Sequence, residues 1–261
     1  MSETNHTPTE IRTDLPHPRD TVYTRYIKRI LDVILSGGAI LVLSPVLLVI
    51  CLLELIFHGR PVVYVDRRPG KDGKIFNMYK FRSMSNACDE NGVLLHPSKR
   101  ITPFGRFLRR TSLDELAGLF NVFNGTMSVI GPRPLMTDYL PLYNERHRYR
   151  HAVRPGLACW NLSGDNRLTA ASWTWNAQFE SDIYYIEHVS FWLDVRMVIK
   201  TVQILFSKSD MRTNANRVKF NGENLNETRS NSEIQEAKQK AREANTADGT
   251  AAADDHRTSS P

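Results

Sequence analysis

From Val33 to Phe57 the sequence is almost wholly apolar, with a single acid, Glu54, near its far end. A helical run of about 25 residues is long enough to cross a hydrocarbon core of roughly 30 Å. The dipeptide Ser44-Pro45 stands at its middle. Proline offers no backbone N–H and crowds the preceding turn, so the pair predicts a kink or break. Each half is then about 12 residues, roughly 18 Å of helix, which is too short to cross alone. Both flanks are basic, with Arg25, Lys28 and Arg29 before the run and Arg60, Arg67 and Arg68 after it. Basic flanks favour the cytoplasmic side, so both ends are expected there. The segment 25–59 therefore reads as a re-entrant helix-break-helix, with a kinked spanning helix as the competing reading.

The rest of the 261-residue chain has room for one ordinary domain with appendages. Lysine and arginine number 34 against 28 acids, for a net charge of +6. That excess suits anionic partners such as phosphate ligands or a membrane surface. The basic residues are spread out, and an apolar membrane segment has no role in a nucleic-acid binder, so nucleic acid is not expected as a partner. Cys51, Cys88 and Cys159 lie far apart in no metal-ligand spacing, which argues against a disulfide scaffold. Polar residues 1–24 read as a loose tail without a signal peptide, and 223–261 as a disordered polar tail.

Between them, 60–222 carries mixed patterns. Strand patterns cover Val62 to Val65 and Ile75 to Phe81, joined by the turn signal Pro69-Gly70-Lys71-Asp72-Gly73. Residues Asp89 to Lys99 read as a polar loop, and a basic helix is expected from Phe104 to Arg110. Ser112 with Glu115 makes a capping-box pattern opening a helix that stops at Asn124-Gly125. Further helices are expected over Asp138 to His147, Ser172 to Glu187 and Phe191 to Phe206. The last of these is aromatic-rich and amphipathic, as in helices that lie in a membrane interface or bury one face in a core.

The chemistry-bearing candidates are Arg109, Arg110, Ser112, Asp114 and Glu115. Acids in the first turn of a helix meet free N–H groups, and nearby arginines neutralise phosphate charge. Neighbours on a helix point about 100° apart, so the two carboxylates suit separate roles: one holding a hard cation, the other attacking phosphorus. First-turn acids are also common as purely structural residues, because the helix dipole favours them. Gly131-Pro132-Arg133-Pro134 would present one arginine rigidly, as a phosphate clamp or as a stiff surface turn. Trp160, Trp173, Trp175 and Trp192 could stack a base, sit at a membrane interface or pack in a core.

The set Lys28-Arg29-Ile30-Leu31-Asp32, Ser44-Pro45, Arg68-Pro69-Gly70, Tyr79-Lys80-Phe81-Arg82-Ser83-Met84, Ser112-Leu113-Asp114-Glu115-Leu116, Phe120-Asn121-Val122, Ser128 to Pro134 and Val153-Arg154-Pro155-Gly156 resembles the bacterial sugar transferase family. These are the monotopic polyprenol-phosphate phosphoglycosyl transferases, and the likeness runs from about Tyr26 to Gly222. Lys219-Phe220-Asn221-Gly222 is similar to the end of the small members that start protein N-glycosylation.

The resemblance implies a compact membrane-associated α/β catalytic domain with amphipathic interfacial helices, on the cytoplasmic face of the bacterial inner membrane. It implies that Ser44-Pro45 is the membrane helix break. Asp114 would be the nucleophile that takes a phospho-sugar from a UDP-sugar and releases UMP, and Glu115 the Mg2+-binding partner. Undecaprenyl phosphate would then accept the phospho-sugar. Arg109, Arg133, Arg154 and Arg167 would bind substrate phosphates. A homodimer is left open.

After Arg154-Pro155-Gly156 the family pattern Thr-Gly-Trp-Ala-Gln-Val-Asn-Gly-Arg-Asn gives way to Ala158-Cys159-Trp160-Asn161-Leu162-Ser163-Gly164-Asp165-Asn166-Arg167. A glycine has become Cys159, which bears on donor choice; an N-acetylated amino sugar is the expected donor class. Two other readings compete: a glycosyltransferase releasing UDP, whose common Asp-x-Asp motif is absent here, and a catalytically inactive basic membrane adaptor.

Overall fold

The computed structural model describes residues 14–159, 174–206 and 219–225. Arg167, Trp160, Trp173 and most of the C-terminal tail lie outside the described residues.

After a π-helical turn at Tyr23–Ile27, helix α1 runs from Lys28 to Phe57. Strands β1 (Val63–Pro69) and β2 (Ile75–Phe81) pair antiparallel, with Val63 opposite Phe81 and Pro69 opposite Ile75. Short helix α2 (Pro97–Arg100) and helix α3 (Pro103–Thr111) follow. A 3-10 turn at Leu113–Gly118 feeds α4 (Leu119–Asn124). Strand β3 (Ser128–Ile130) pairs parallel with β4 (Gly156–Ala158), and α5 (Glu145–Arg148) lies between them in sequence. Helices α6 (Trp175–His188) and α7 (Phe191–Phe206) close the described chain before a short segment around Phe220. Among the described residues the architecture is thus a mixed α/β domain with two small sheets, carried on one long apolar helix.

The Ser44-Pro45 pair does not split α1 into two helices: Pro45 lies inside it. Proline cannot donate to the carbonyl four residues back, which is that of Leu41. Ser44 Oγ donates to that same carbonyl at 2.8 Å, so its lost partner is replaced. Leu41, Val42, Ser44, Pro45 and Val46 are all exposed. The buried positions of α1 fall on either side of them, at Asp32 and Ser36, and at Leu47, Ile50 and Glu54.

Both flanks of α1 are tied to the domain. Asp32 Oδ1 accepts from Ser128 Oγ at 3.0 Å and from the Val129 N–H at 2.9 Å. Lys28 Nζ reaches Asp194 Oδ2 of α7 at 2.5 Å, where Tyr23 also donates, while Tyr185 donates to Oδ1. Arg29 donates to the Val122 and Phe123 carbonyls at the C-terminal end of α4, where carbonyls lack intrahelical partners. At the far end, Leu47 and Ile50 pack with Phe81, Leu108 and Ala117. Glu54 Oε2 lies 2.8 Å from His58 Nδ1, and His58 Nε2 lies 2.8 Å from Thr102 Oγ1, the N-cap of α3.

Two expected boundaries move. The tail assigned to 1–24 is held from Asp14 onward. The Arg19 N–H donates to the Ile186 carbonyl at 2.9 Å, and Arg146 pairs with Asp14 at 3.3 Å. At the other end, Leu225 is buried in an aromatic cluster with Tyr139, Tyr143, Trp175, Phe179 and Phe220. Trp175 is core, whereas Trp192 on α7 is 77% exposed beside exposed Phe191, Ile199 and Val202.

Candidate active site

The expected capping box does not form. Ser112 is left-handed (φ 56) and ends α3, its N–H shared between the Leu108 and Arg109 carbonyls. Its side chain caps nothing, and Glu115 is drawn elsewhere. The sharp turn at Ser112 starts a 3-10 turn rather than an α-helix, and Asp114 and Glu115 lie in it, half-buried.

That turn lies against β2. Asn121 fixes the contact: its Oδ1 accepts from the Tyr79 N–H at 2.8 Å and its Nδ2 donates to the Asn77 carbonyl at 2.7 Å. Lys80 of the same strand then meets Glu115, Nζ to Oε1 at 3.2 Å. Arg133 Nη2 approaches the same oxygen at 3.7 Å. Among the described residues, the hydrogen bond to Glu115 falls on Oε1 and leaves Oε2 without one.

Arg133 is delivered by a tight crossing of two loops. The Gly131 N–H donates to the Ala158 carbonyl and the Gly156 N–H to that of Pro132. A Cβ on Gly156 would lie 2.1 Å from the Gly131 nitrogen, so a side chain there would force the loops apart. Arg109 is held from α3 by Nε to Ser83 Oγ at 2.7 Å and is otherwise exposed. Arg154 donates Nε to the Gly125 carbonyl at 2.8 Å, sharing the C-terminal end of α4 with Arg29. That is the far end of the turn-helix unit from the carboxylates, so Nε of Arg154 caps a helix there. Arg109, Arg133, Asp114 and Glu115 are brought together; Arg167 lies outside the described residues.

The two acids are pushed in opposite directions. Burial, and then the neighbouring Glu115 charge, raise the Asp114 pKa above the ordinary aspartate value, with Lys80 and Arg109 only partly offsetting them. Burial works against the Glu115 charge as well, but Lys80 and Arg133 outweigh it and hold its pKa below normal. Neighbouring carboxylates separated in this way take different chemical roles. Cys159 stands against Arg133; burial pushes its thiol up to about 12, so it is a neutral group there.

The donor set fits a magnesium ion. Mg2+ takes oxygen ligands and is usually held by one or two carboxylates, with substrate phosphates completing the shell. The Oε2 of Glu115 offers one such carboxylate, and among the described residues no group of three or more acids, histidines or cysteines forms an all-protein cage. Sequence reasoning missed Lys80 as a site residue. The signal was present in Tyr79-Lys80-Phe81, where a lysine stands between two aromatic residues of the strand.

A family model described as bacterial sugar transferase matches residues 23–208. An uncharacterized sugar transferase EpsL of Bacillus subtilis is 38% identical over 72% of this chain and 92% of its own length. A UDP-N-acetylgalactosamine-undecaprenyl-phosphate N-acetylgalactosaminephosphotransferase of Aeromonas hydrophila is 34% identical over 74% of this chain and 46% of its own. A UDP-glucose:undecaprenyl-phosphate glucose-1-phosphate transferase of Escherichia coli is 36% identical over 68% of this chain and 40% of its own. The chain thus spans nearly all of the Bacillus relative and less than half the length of the other two.

Proposed function

The chain belongs to the bacterial sugar transferase family, and from that premise we propose that it moves a sugar 1-phosphate from a UDP-sugar to undecaprenyl phosphate, releasing UMP. The observation that carries this reading is the split pair, Asp114 raised and Glu115 lowered, ringed by Lys80, Arg109 and Arg133. Such a ring suits a diphosphate, whose charge must be neutralised before a carboxylate can approach phosphorus.

In the first step an Asp114 carboxylate oxygen attacks the sugar-bearing phosphorus. The new O–P bond forms as the bond to the bridging oxygen breaks, and the electron pair leaves with UMP. An oxygen of undecaprenyl phosphate then attacks the same phosphorus, breaking the aspartyl bond and regenerating the carboxylate. Partial burial favours this role, because a poorly solvated carboxylate is the better nucleophile. Glu115, through Oε2, would hold Mg2+, which when bound supplies positive charge at the phosphate oxygens. Arg133 and Arg109 orient the phosphates.

A lipid acceptor requires a membrane, and α1 supplies the anchor. Its two ends are bound to one domain, Lys28 and Asp32 at the start and His58 at the end, while Leu41, Val42 and Ser44 to Val46 are exposed between them. This supports a re-entrant segment on the cytoplasmic face of the inner membrane, with the aromatic face of α7 in the interface. An N-acetylated amino sugar is the first donor class to try, in keeping with the UDP-N-acetylgalactosamine named for the Aeromonas relative.

The test is to supply purified protein in nanodiscs with undecaprenyl phosphate, magnesium and a panel of UDP-sugars, and to identify the nucleotide released. UMP that disappears in Asp114→Asn is expected. UDP would assign an ordinary glycosyltransferase instead, and no nucleotide from any donor would favour the inactive adaptor.

A further inference from the structure

Arg133 is 44% exposed in its side chain, approaches Glu115 only at 3.7 Å and meets the Cys159 side chain, so its aim depends on these contacts and on how its backbone is held. Prolines at 132 and 134 leave that backbone few N–H groups with which to hold itself. The Arg133 carbonyl is instead gripped from behind: Arg150 Nη2 donates to it at 2.6 Å. Arg150 is anchored in turn. Its Nε and Nη2 donate to Asp182 Oδ2 at 3.0 and 2.6 Å, and its Nη1 to Tyr143 Oη at 3.1 Å. Asp182 Oδ1 accepts from Gln178 one turn earlier on α6 at 3.0 Å. Both side chains of the ion pair are 1% exposed.

A buried ion pair is weak evidence for stability, since well-packed apolar groups often serve as well. This one has a geometric role that apolar groups could not fill. One planar guanidinium joins α6, Tyr143 and the Arg133 loop at once, a reach that a lysine ammonium with its single nitrogen does not have. We infer that Arg150, fixed by Asp182 and Tyr143, is a positioning residue that aims Arg133 at the substrate phosphates by holding the Arg133 carbonyl. The inference rests on the phospho-sugar transfer reading for what Arg133 is aimed at.

The experiment compares wild type, Arg150→Lys, Arg133→Ala and the double variant, full-length in nanodiscs, by kcat and KM for UMP release. In parallel, hydrogen–deuterium exchange is followed over 128–136. Arg150→Lys should lower kcat/KM about tenfold to a hundredfold, the scale of a misplacement of about 1 Å. It should cost nothing further once Arg133 is alanine, and the Gly131, Arg133 and Leu135 amides should exchange faster. Independent, multiplying losses would overturn the inference, because a merely structural effect does not depend on Arg133. Should Arg150→Lys fail to fold, Tyr143→Phe removes one anchor without touching the charge pair; a smaller loss with the same dependence on Arg133 is expected. If wild type releases no UMP, the functional reading fails by itself. The exchange data then decide the positioning claim: faster exchange confined to the loop supports it, and unchanged exchange sinks it.

Discussion

Lys80 Nζ and Glu115 Oε1, 35 positions apart in the chain, meet at 3.2 Å, and that contact divides the labour between two adjacent acids. Glu115 carries the compensated charge, while Asp114 is left half-buried beside it with a raised pKa. An ordinary aspartate titrates near about 3.9.

The pH dependence follows. Attack requires ionised Asp114, so UMP release should fall as pH drops through the raised pKa, beginning above the ordinary aspartate range. Lys80→Met removes a charge that pulls both acids down, so it should move this acid limb to still higher pH. The profile of kcat/KM against pH for wild type and variant checks this. A limb that stays in place or moves to lower pH would contradict the electrostatic assignment.

Gly105 sets how closely α3 lies on the strand exit that anchors Arg109. A Cβ there would stand 2.0 Å from the Ser83 carbonyl oxygen, and that backbone cannot yield without moving α3. Gly105→Ala should therefore destabilise the protein by about 1–3 kcal/mol or more, as overpacking does. It should also loosen the Arg109–Ser83 contact and depress UMP release. Gly38→Ala, on an open stretch of α1 with nothing within 4 Å, is the matched control and should do neither. Thermal melting and turnover of the two variants decide the matter.

Much of the local structure was legible. Ile75 to Phe81 and Phe191 to Phe206 match β2 and α7 as expected, and Phe104 to Arg110 falls within α3. These segments carry their own periodicity. The Ser112 box was misread because the αL turn that ends α3 depends on how α3 meets the next turn, not on the four-residue pattern. Asp138 to His147 divided into a 3-10 turn and α5, with Pro141 inside the former. Asp114, Glu115 and Arg133 stood out by type and neighbours. Asp32 and Arg150 did not, because their partners are remote in sequence and nothing local marks them, and Lys80 was marked only by its place between two aromatic residues of β2, with its partner 35 positions away.

Asp32 offers a stability test of the helix-to-domain joint. Its buried Oδ1 serves both Ser128 Oγ and the Val129 N–H at the start of β3. Asp32→Ala leaves those donors unmet and should cost about 1–3 kcal/mol. Asp32→Asn keeps an acceptor oxygen and should cost less. Chemical denaturation of the two variants in detergent measures the difference; equal costs would mean that the carboxylate charge, not the hydrogen bonds, holds the joint.

The same joint makes a prediction about topology. A straight helix of 30 residues, as α1 has, would be about 45 Å long, ample to cross a bilayer. Yet Asp32 at one end and His58 at the other are both bound to the polar domain, which cannot lie on two sides of a membrane at once. Residues at both ends should therefore share one compartment. With Cys51, Cys88 and Cys159 replaced, single cysteines at exposed Asp20 and Arg60 can be probed in spheroplasts with a membrane-impermeant maleimide. Neither should label until the membrane is opened, and then both should. Labelling of Asp20→Cys alone in intact spheroplasts would mean that α1 spans the bilayer and that its N-terminal contacts with the domain do not form in the membrane.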